Sequence, residues 1–147
     1  SNHPKRIDLM NEIRDDWKEH LTAYTSYLAI VSSGSHDDVF DLIAKEETLS
    51  PFKIEHPNHN RALFMPMSAN NKMLWTEQGI SWMEETVARL APVNENTTIK
   101  LVAAFQQVNN LADDLKPRVK QALQKMNDSV DAEQCPSVAG RIKAYLN

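Results

Sequence analysis

Apolar residues along this chain recur at three- and four-residue steps, in stretches that each stop at a proline, a glycine or a cluster of turn residues. That spacing places them on one face of an α-helix and leaves little room for strands. Ile7, Met10, Ile13, Trp17 and Leu21 make the first stripe, with Arg6, Asp8, Glu12 and Asp15 largely off it. Tyr24, Tyr27, Leu28 and Val31 make the second. Ser33-Gly34 closes it, and the glycine suits a left-handed C-terminal cap. Ser35, with Asp38 three residues on, is expected to open the next helix as a shortened capping box. Val39, Phe40, Leu42 and Ile43 form its buried side, and Leu49-Ser50-Pro51 breaks it.

The same punctuation continues. His56-Pro57-Asn58 is a turn, with Asn58 expected to cap a helix that carries Leu63, Phe64 and Met67 and is kinked or ended by Pro66. Asn70-Asn71 opens a short apolar patch, Met73-Leu74-Trp75. A fresh start at Thr76 leads into Ile80, Met83, Val87 and Leu90, with Trp82 beside them and Pro92 as the stop. Asn96 or Thr97 is the expected cap of a helix with Ile99, Leu101, Val102 and Phe105 inward, ending at Asn109-Asn110. Asp113 or Asp114 is expected to begin another, with Pro117 in its first turn and Val119, Leu123 and Met126 buried. The last starts near Pro136 and carries Val138, Ile142, Tyr145 and Leu146.

The expected fold is therefore all-α: seven or eight short helices, none able to bury its stripe alone. Consecutive antiparallel pairs stacked into a superhelical, helical-repeat array are the economical packing, and a compact irregular bundle is the alternative. The chain holds only 3 Gly, and no textual repeat accompanies the structural one. Residues 3–147 read as one domain. Ser1-Asn2, without an initiator Met, reads as a processed or engineered start, such as a tag scar on a piece of a longer protein.

The charge balance, 16 basic against 20 acidic side chains, argues against a nucleic-acid partner. No apolar run approaches the roughly 18 residues of a membrane span. No signal peptide is seen, so a cytoplasmic location is expected. The single cysteine, Cys135, cannot form an internal disulfide and reads as a bystander thiol.

Catalytic patterns are not found. The histidines are His3, His20, His36, His56 and His59, and none forms the His-Glu-x-x-His pair of zinc hydrolases. His56 and His59 flank Pro57 at a turn and read as surface or capping residues. There is no G-x-S-x-G elbow and no glycine-rich phosphate loop. Asp15-Asp16, Glu46-Glu47, Glu84-Glu85 and Asp113-Asp114 are adjacent pairs, which a helix splays about 100° apart, so they read as solvated faces or helix starts. The tryptophans and methionines read mostly as core. The Met65–Met73 segment, including Met67 and Met73, is the exception, read as an adaptable apolar surface for docking another domain.

One stretch carries more than periodicity. Asp37 to Phe52 reads D-D-V-F-D-L-I-A-K-E-E-T-L-S-P-F and leads through Ile54-Glu55 into His56-Pro57-Asn58-His59-Asn60-Arg61-Ala62-Leu63. This resembles the final domain of zinc aminopeptidases of the alanyl aminopeptidase (aminopeptidase N) family, in its bacterial branch. There, P-x-F is followed by N-P-N-R-x-R-A-L. Pro57, Asn58, Arg61, Ala62 and Leu63 match that pattern, while His56 and His59 stand for its first asparagine and first arginine. Arg14-Asp15-Asp16-Trp17, the aromatic run Ala23 to Leu28, and Ser68-Ala69-Asn70-Asn71 resemble neighbouring family segments. Val87-Ala88-Arg89-Leu90 and Ala103-Ala104-Phe105 fit the spacing of the next two helices. Leu74-Trp75, Glu77 to Ile80, Asn94 to Leu101 and Asn109-Asn110 depart from it, and the family's basic cluster is missing there.

The resemblance implies a helical superhelix that folds over a catalytic domain of the same polypeptide and walls off a chamber. The zinc and the catalytic residues would lie upstream, with no catalytic, metal or cofactor residue in this segment. Peptide substrates of the parent enzyme would reach the zinc only past this wall. Arg61 and Asn58, with Trp75, Met67 and Met73, would line the chamber or the interdomain contact. The alternative is a stand-alone helical-repeat interaction module gripping a protein in a groove built on Trp75, Met67 and Met73. A small independent enzyme would need a pair assembled from distant helices, such as Asp38 with His59.

Overall fold

The computed structural model describes residues 7–10, 21–49 and 51–147. Residues 7–10 are helical. The Ile13 and Trp17 part of the first expected stripe, with the Arg14–Trp17 segment, His3 and His20, lies outside the described residues. The helices are α1 (Leu21–Ser32), α2 (Val39–Thr48), α3 (Pro57–Ser68), α4 (Asn71–Leu74), α5 (Glu77–Leu90), α6 (Glu95–Val102), a 3-10 helix (Ala103–Asn110), α7 (Lys116–Ser129) and α8 (Pro136–Leu146). No strand occurs among the described residues, and the fold is the all-α helical-repeat class expected.

The chain divides into two compact units, Ser1–Met73 and Leu74–Asn147. In the first, α1 packs on α2 and more extensively on α3. Tyr24, Tyr27, Leu28 and Val31 of α1 are all buried, as are Leu63, Phe64 and Met67 of α3. In the second, α5 packs on α6 and α7, and α8 packs on α6 and α7. Contacts between helices one or two places apart in the chain are how short amphipathic helices share a core in a helical-repeat stack.

Several helix ends differ from expectation, each for a local reason. Gly34 is not in the left-handed region, since no glycine has positive φ. The carbonyls at the end of α1 are met instead by Ser33 Oγ, which donates to Ala29 O at 2.6 Å, while Asn70 Nδ2 donates to Gly34 O at 2.7 Å. Helix α2 begins at Val39, after a turn in which Val39 N donates to His36 O. Asp38 is already near-helical there, at φ −83° and ψ 0°, and its side chain makes no capping bond. Pro57 occupies the first position of α3, where a missing N–H is harmless. Asn58 therefore lies inside the helix and does not cap it. Pro66 does not break α3 but lies two residues before its end at Ser68.

In the second unit, Thr76 caps α5 as expected, its Oγ1 accepting from Gly79 N at 3.0 Å. The cap of α6 is Asn94, not Asn96 or Thr97: its Oδ1 accepts from Thr97 N at 3.0 Å. This earlier start turns Thr97 and Thr98 inward and leaves Ile99 half-buried. Helix α7 starts at Lys116, after Asp113 and Asp114.

Helix α6 runs directly into the 3-10 helix, and the sequence supplies the reason. Val102, Phe105, Val108 and Leu111 stand three residues apart, as do Ala103, Gln106 and Asn109, and Ala104, Gln107 and Asn110. Three residues per turn is the 3-10 period, so each set stays in line. An α-helix would rotate each set by about 60° per step. Phe105 and Val108 are buried and the glutamines and asparagines are exposed.

Two polar devices tie the second unit together. Glu77, Ser81 and Glu84 share one face of α5, and Arg118 of α7 reaches all three. Its Nε donates to Glu77 at 2.9 Å, its Nη1 to Glu84 at 3.2 Å and its Nη2 to Ser81 at 3.4 Å. The bond to Glu84, the largest influence, pushes the Arg118 pKa up, against burial and with help from Glu77. Glu84 is thus an interhelical partner and not a solvated charge. The second device is Glu95 of α6, whose Oε2 accepts from Ser137 N at 2.8 Å and Val138 N at 3.1 Å. It caps α8, which has no side-chain cap from its own Cys135. A carboxylate there also meets the positive end of the helix dipole. Glu95→Ala is expected to destabilise the second unit by about 0.5–2 kcal/mol, the range for losing an N-cap. Urea titration followed by circular dichroism checks it, and an unchanged midpoint would remove the cap from the account.

Candidate functional site

The residues read as functional from the sequence fall into two environments. Met67 is fully buried and Met73 is 4% exposed. Neither presents the open apolar surface expected of the Met65–Met73 segment. Met67 repeats the positions of His59 and Leu63 at four-residue steps on α3, so the helix turns all three inward. Trp75 is half-buried, and its ring meets the ring of Phe105 edge-on at 5.4 Å.

Asn58 and Arg61 are exposed. They stand three apart on α3, one turn, and Arg61 Nη2 donates to Asn58 Oδ1 at 2.6 Å. That bond orients the guanidinium. Together with Ala62 they border a shallow surface groove whose opposite wall is Thr25, Ser26 and Ala29 of α1. A fixed guanidinium beside small side chains suits a carboxylate or a peptide carbonyl.

On the inner side of the same helix is a cluster that sequence reasoning placed at the surface. His59 is 7% exposed. Its Nδ1 accepts the backbone N–H of Lys53 at 3.0 Å, so a neutral ring carries its proton on Nε2. The ring stacks on His56 at 4.4 Å and on Phe52 at 5.9 Å, and meets Tyr24 edge-on at 5.1 Å. Next to it, Asn60 Nδ2 donates to Ile54 O at 2.8 Å. Burial first, then His56 and Lys53, push the His59 pKa below its ordinary value, with Glu55 opposing. Among the described residues no three His, Cys, Asp or Glu side chains gather as metal ligands.

Glu46 was read as part of a solvated acidic pair, yet it is 3% exposed and accepts a hydrogen bond from Tyr27 Oη. A signal for its burial exists in the sequence, because Val39, Ile43 and Glu46 fall at helical steps on one face of α2. His59 and Asn60 likewise extend the stripe of Leu63, Phe64 and Met67. Cys135 is buried, and burial, with Glu95 and Asp131, pushes its thiol pKa up, away from the reactive thiolate.

The family model described as a domain of unknown function (DUF3458_C), ARM repeats, matches residues 1–134. No curated protein matches the chain.

Proposed function

We infer a role from the residues of this chain, which belongs to the DUF3458_C family of ARM-repeat domains. We propose that it is the non-catalytic, C-terminal domain of a cytoplasmic zinc-dependent aminopeptidase. It closes the substrate chamber over a catalytic domain of the same polypeptide, and the zinc and its ligands lie upstream of it. No described helix is long and apolar enough to cross a membrane.

The observation that carries the reading is the division of labour within the stretch that resembles the aminopeptidases. Pro57 starts α3 and Leu63 is fully buried in the core, so these two matching positions build the helix. Asn58 and Arg61 match the same pattern but stand outside, bonded to each other beside the α1 groove. A bonded, exposed pair one turn apart adds only about 0.2–0.5 kcal/mol to a helix, whereas a chamber wall must show something polar to a peptide. In that role the domain acts by shape. It keeps folded proteins and bulk water away from the reacting bond and admits chains with a free N-terminus.

The test is the full-length reading frame and its product. An upstream His-Glu-x-x-His with a distal Glu is expected, together with chelator-sensitive release of N-terminal residues from aminoacyl nitroanilides. In that protein, Arg61→Ala is expected to raise KM for peptides of several residues more than for the nitroanilide. Its melting temperature should barely move, since an exposed side chain changes stability by about 0.5 kcal/mol or less. A start codon directly before this segment would overturn the reading and leave a free-standing interaction module. Equal effects on both substrates would remove Arg61 from the chamber wall.

A further inference from the structure

We propose that His59 is an acid-released latch, which holds residues 51–56 against α3 when neutral and lets them go when protonated. Three features of the geometry carry this. The Nδ1 lone pair accepts the Lys53 backbone N–H, so the ring ties the segment to α3 by a bond only the unprotonated nitrogen can accept. The ring is wedged among Phe52 and His56 of that segment and Tyr24 of α1. It is also buried, so a proton there creates a charge with little water to solvate it.

Protonation at Nδ1 turns acceptor into donor and sets two N–H groups against each other. The charged and titratable groups around the ring do not rescue the cation. From α1 comes Tyr24, and from the segment come Phe52 and the cationic Lys53. His56, the last residue of the segment, opposes a second positive charge, and among the described residues Glu55 favours it. Burial outweighs them all in the same direction as His56 and Lys53.

The sign follows from the lowered value. The unfolded or released ring protonates near the ordinary 6.5, the latched ring at lower pH. The latch is therefore at full strength above pH 6.5. It weakens as pH falls, until the latched ring itself protonates. Each unit between the two values multiplies the open population by about ten. The latch is a property of this chain and does not depend on what the parent enzyme does.

The experiment is amide hydrogen exchange of Lys53 in the whole chain at about pH 7.5 and about pH 5, corrected for intrinsic rates, a window that brackets histidine titration. Protection of Lys53 should fall severalfold or more at the lower pH, while amides of α5 keep theirs. In His59→Asn, whose Oδ1 can take the place of Nδ1 but cannot titrate, protection should be the same at both pH values. His56→Gln should keep the fall. The latch is overturned if Lys53 protection is unchanged in the native chain, or if it falls equally in His59→Asn. Should His59→Asn fail to fold, ring nitrogen shifts of the native chain decide. Titration of His59 must coincide with loss of Lys53 protection, and titration with protection retained refutes the proposal.

Discussion

Phe105→Ala is expected to destabilise the second unit by about 3–5 kcal/mol, the cost of deleting a buried aromatic side chain. Phe105 is fully buried and its ring meets Trp75 edge-on at 5.4 Å. It is also the largest side chain on the inward row of the 3-10 helix, between Val102 and Val108. A 3-10 helix has weaker hydrogen-bond geometry than an α-helix. Packing of that row must therefore hold the backbone in its tighter turn. Truncation removes the transfer free energy of the ring and opens a cavity that neighbouring side chains fill only in part. Gln106→Ala, one residue on and exposed, should change stability by about 0.5 kcal/mol or less. Urea unfolding of both variants, followed by tryptophan fluorescence and by circular dichroism, makes the comparison. If Phe105→Ala costs under about 1 kcal/mol, far below the cavity range, the 3-10 row is not the anchor described.

That element shows how far the sequence could be read. Phe105 was legible as inward-facing, and so were the stripes of α1, α5 and α7, because packing follows periodicity wherever the residues are apolar. The 3-10 backbone was not read, although three interleaved rows at three-residue steps were present. An α-helix also repeats at three- and four-residue steps, so a three-residue step alone does not set a 3-10 helix apart from it. Caps were less legible. Asn94, Asn96 and Thr97 are all good capping types, and only the backbone at Asn94, extended at φ −153°, selects among them. Gly34 had the right residue type for a left-handed cap, but Ser33 and Asn70 satisfied the backbone without one.

Exposure of the candidate site residues was legible only in part. Asn58 and Arg61, expected to line a chamber or an interdomain contact, are exposed and bonded together. Met67 and Met73 were assigned to a surface and are buried. Dense methionine signals adaptable packing, but it does not say against what. Glu46 and His59 read as surface residues because charged and titratable residues are seldom buried. In each case the helical register pointed inward while the residue type pointed outward, and the register won.

Tyr27→Phe tests how that conflict is resolved at Glu46. The variant is expected to destabilise the first unit by about 1.5–3 kcal/mol, the range for a hydrogen bond to a charged group. Tyr27 is 2% exposed and Glu46 3% exposed, and the Tyr27 hydroxyl donates to Glu46 Oε1 across the α1–α2 contact. Removing the donor leaves the carboxylate in the core without that partner, and the desolvation it suffered on folding is no longer offset. Replacing both groups by apolar ones of similar size should behave differently. In Tyr27→Phe/Glu46→Met neither polar group is stranded, so stability should return to within about 1 kcal/mol of the native chain or exceed it. The two single variants and the double variant form a cycle, and the coupling should be about 1–3 kcal/mol, as for residues in direct contact. Near-zero coupling would mean that Glu46 is held by other groups and that the Tyr27 bond is incidental. A double variant as unstable as Tyr27→Phe alone would mean that the pair contributes to stability beyond mutual satisfaction. The expected pattern assigns it a narrower role. The bond between Tyr27 and Glu46 can form in only one register of α1 on α2, whereas Val31 and Ile43 can pack in several, so the buried pair fixes which packing is adopted more than how tightly it holds.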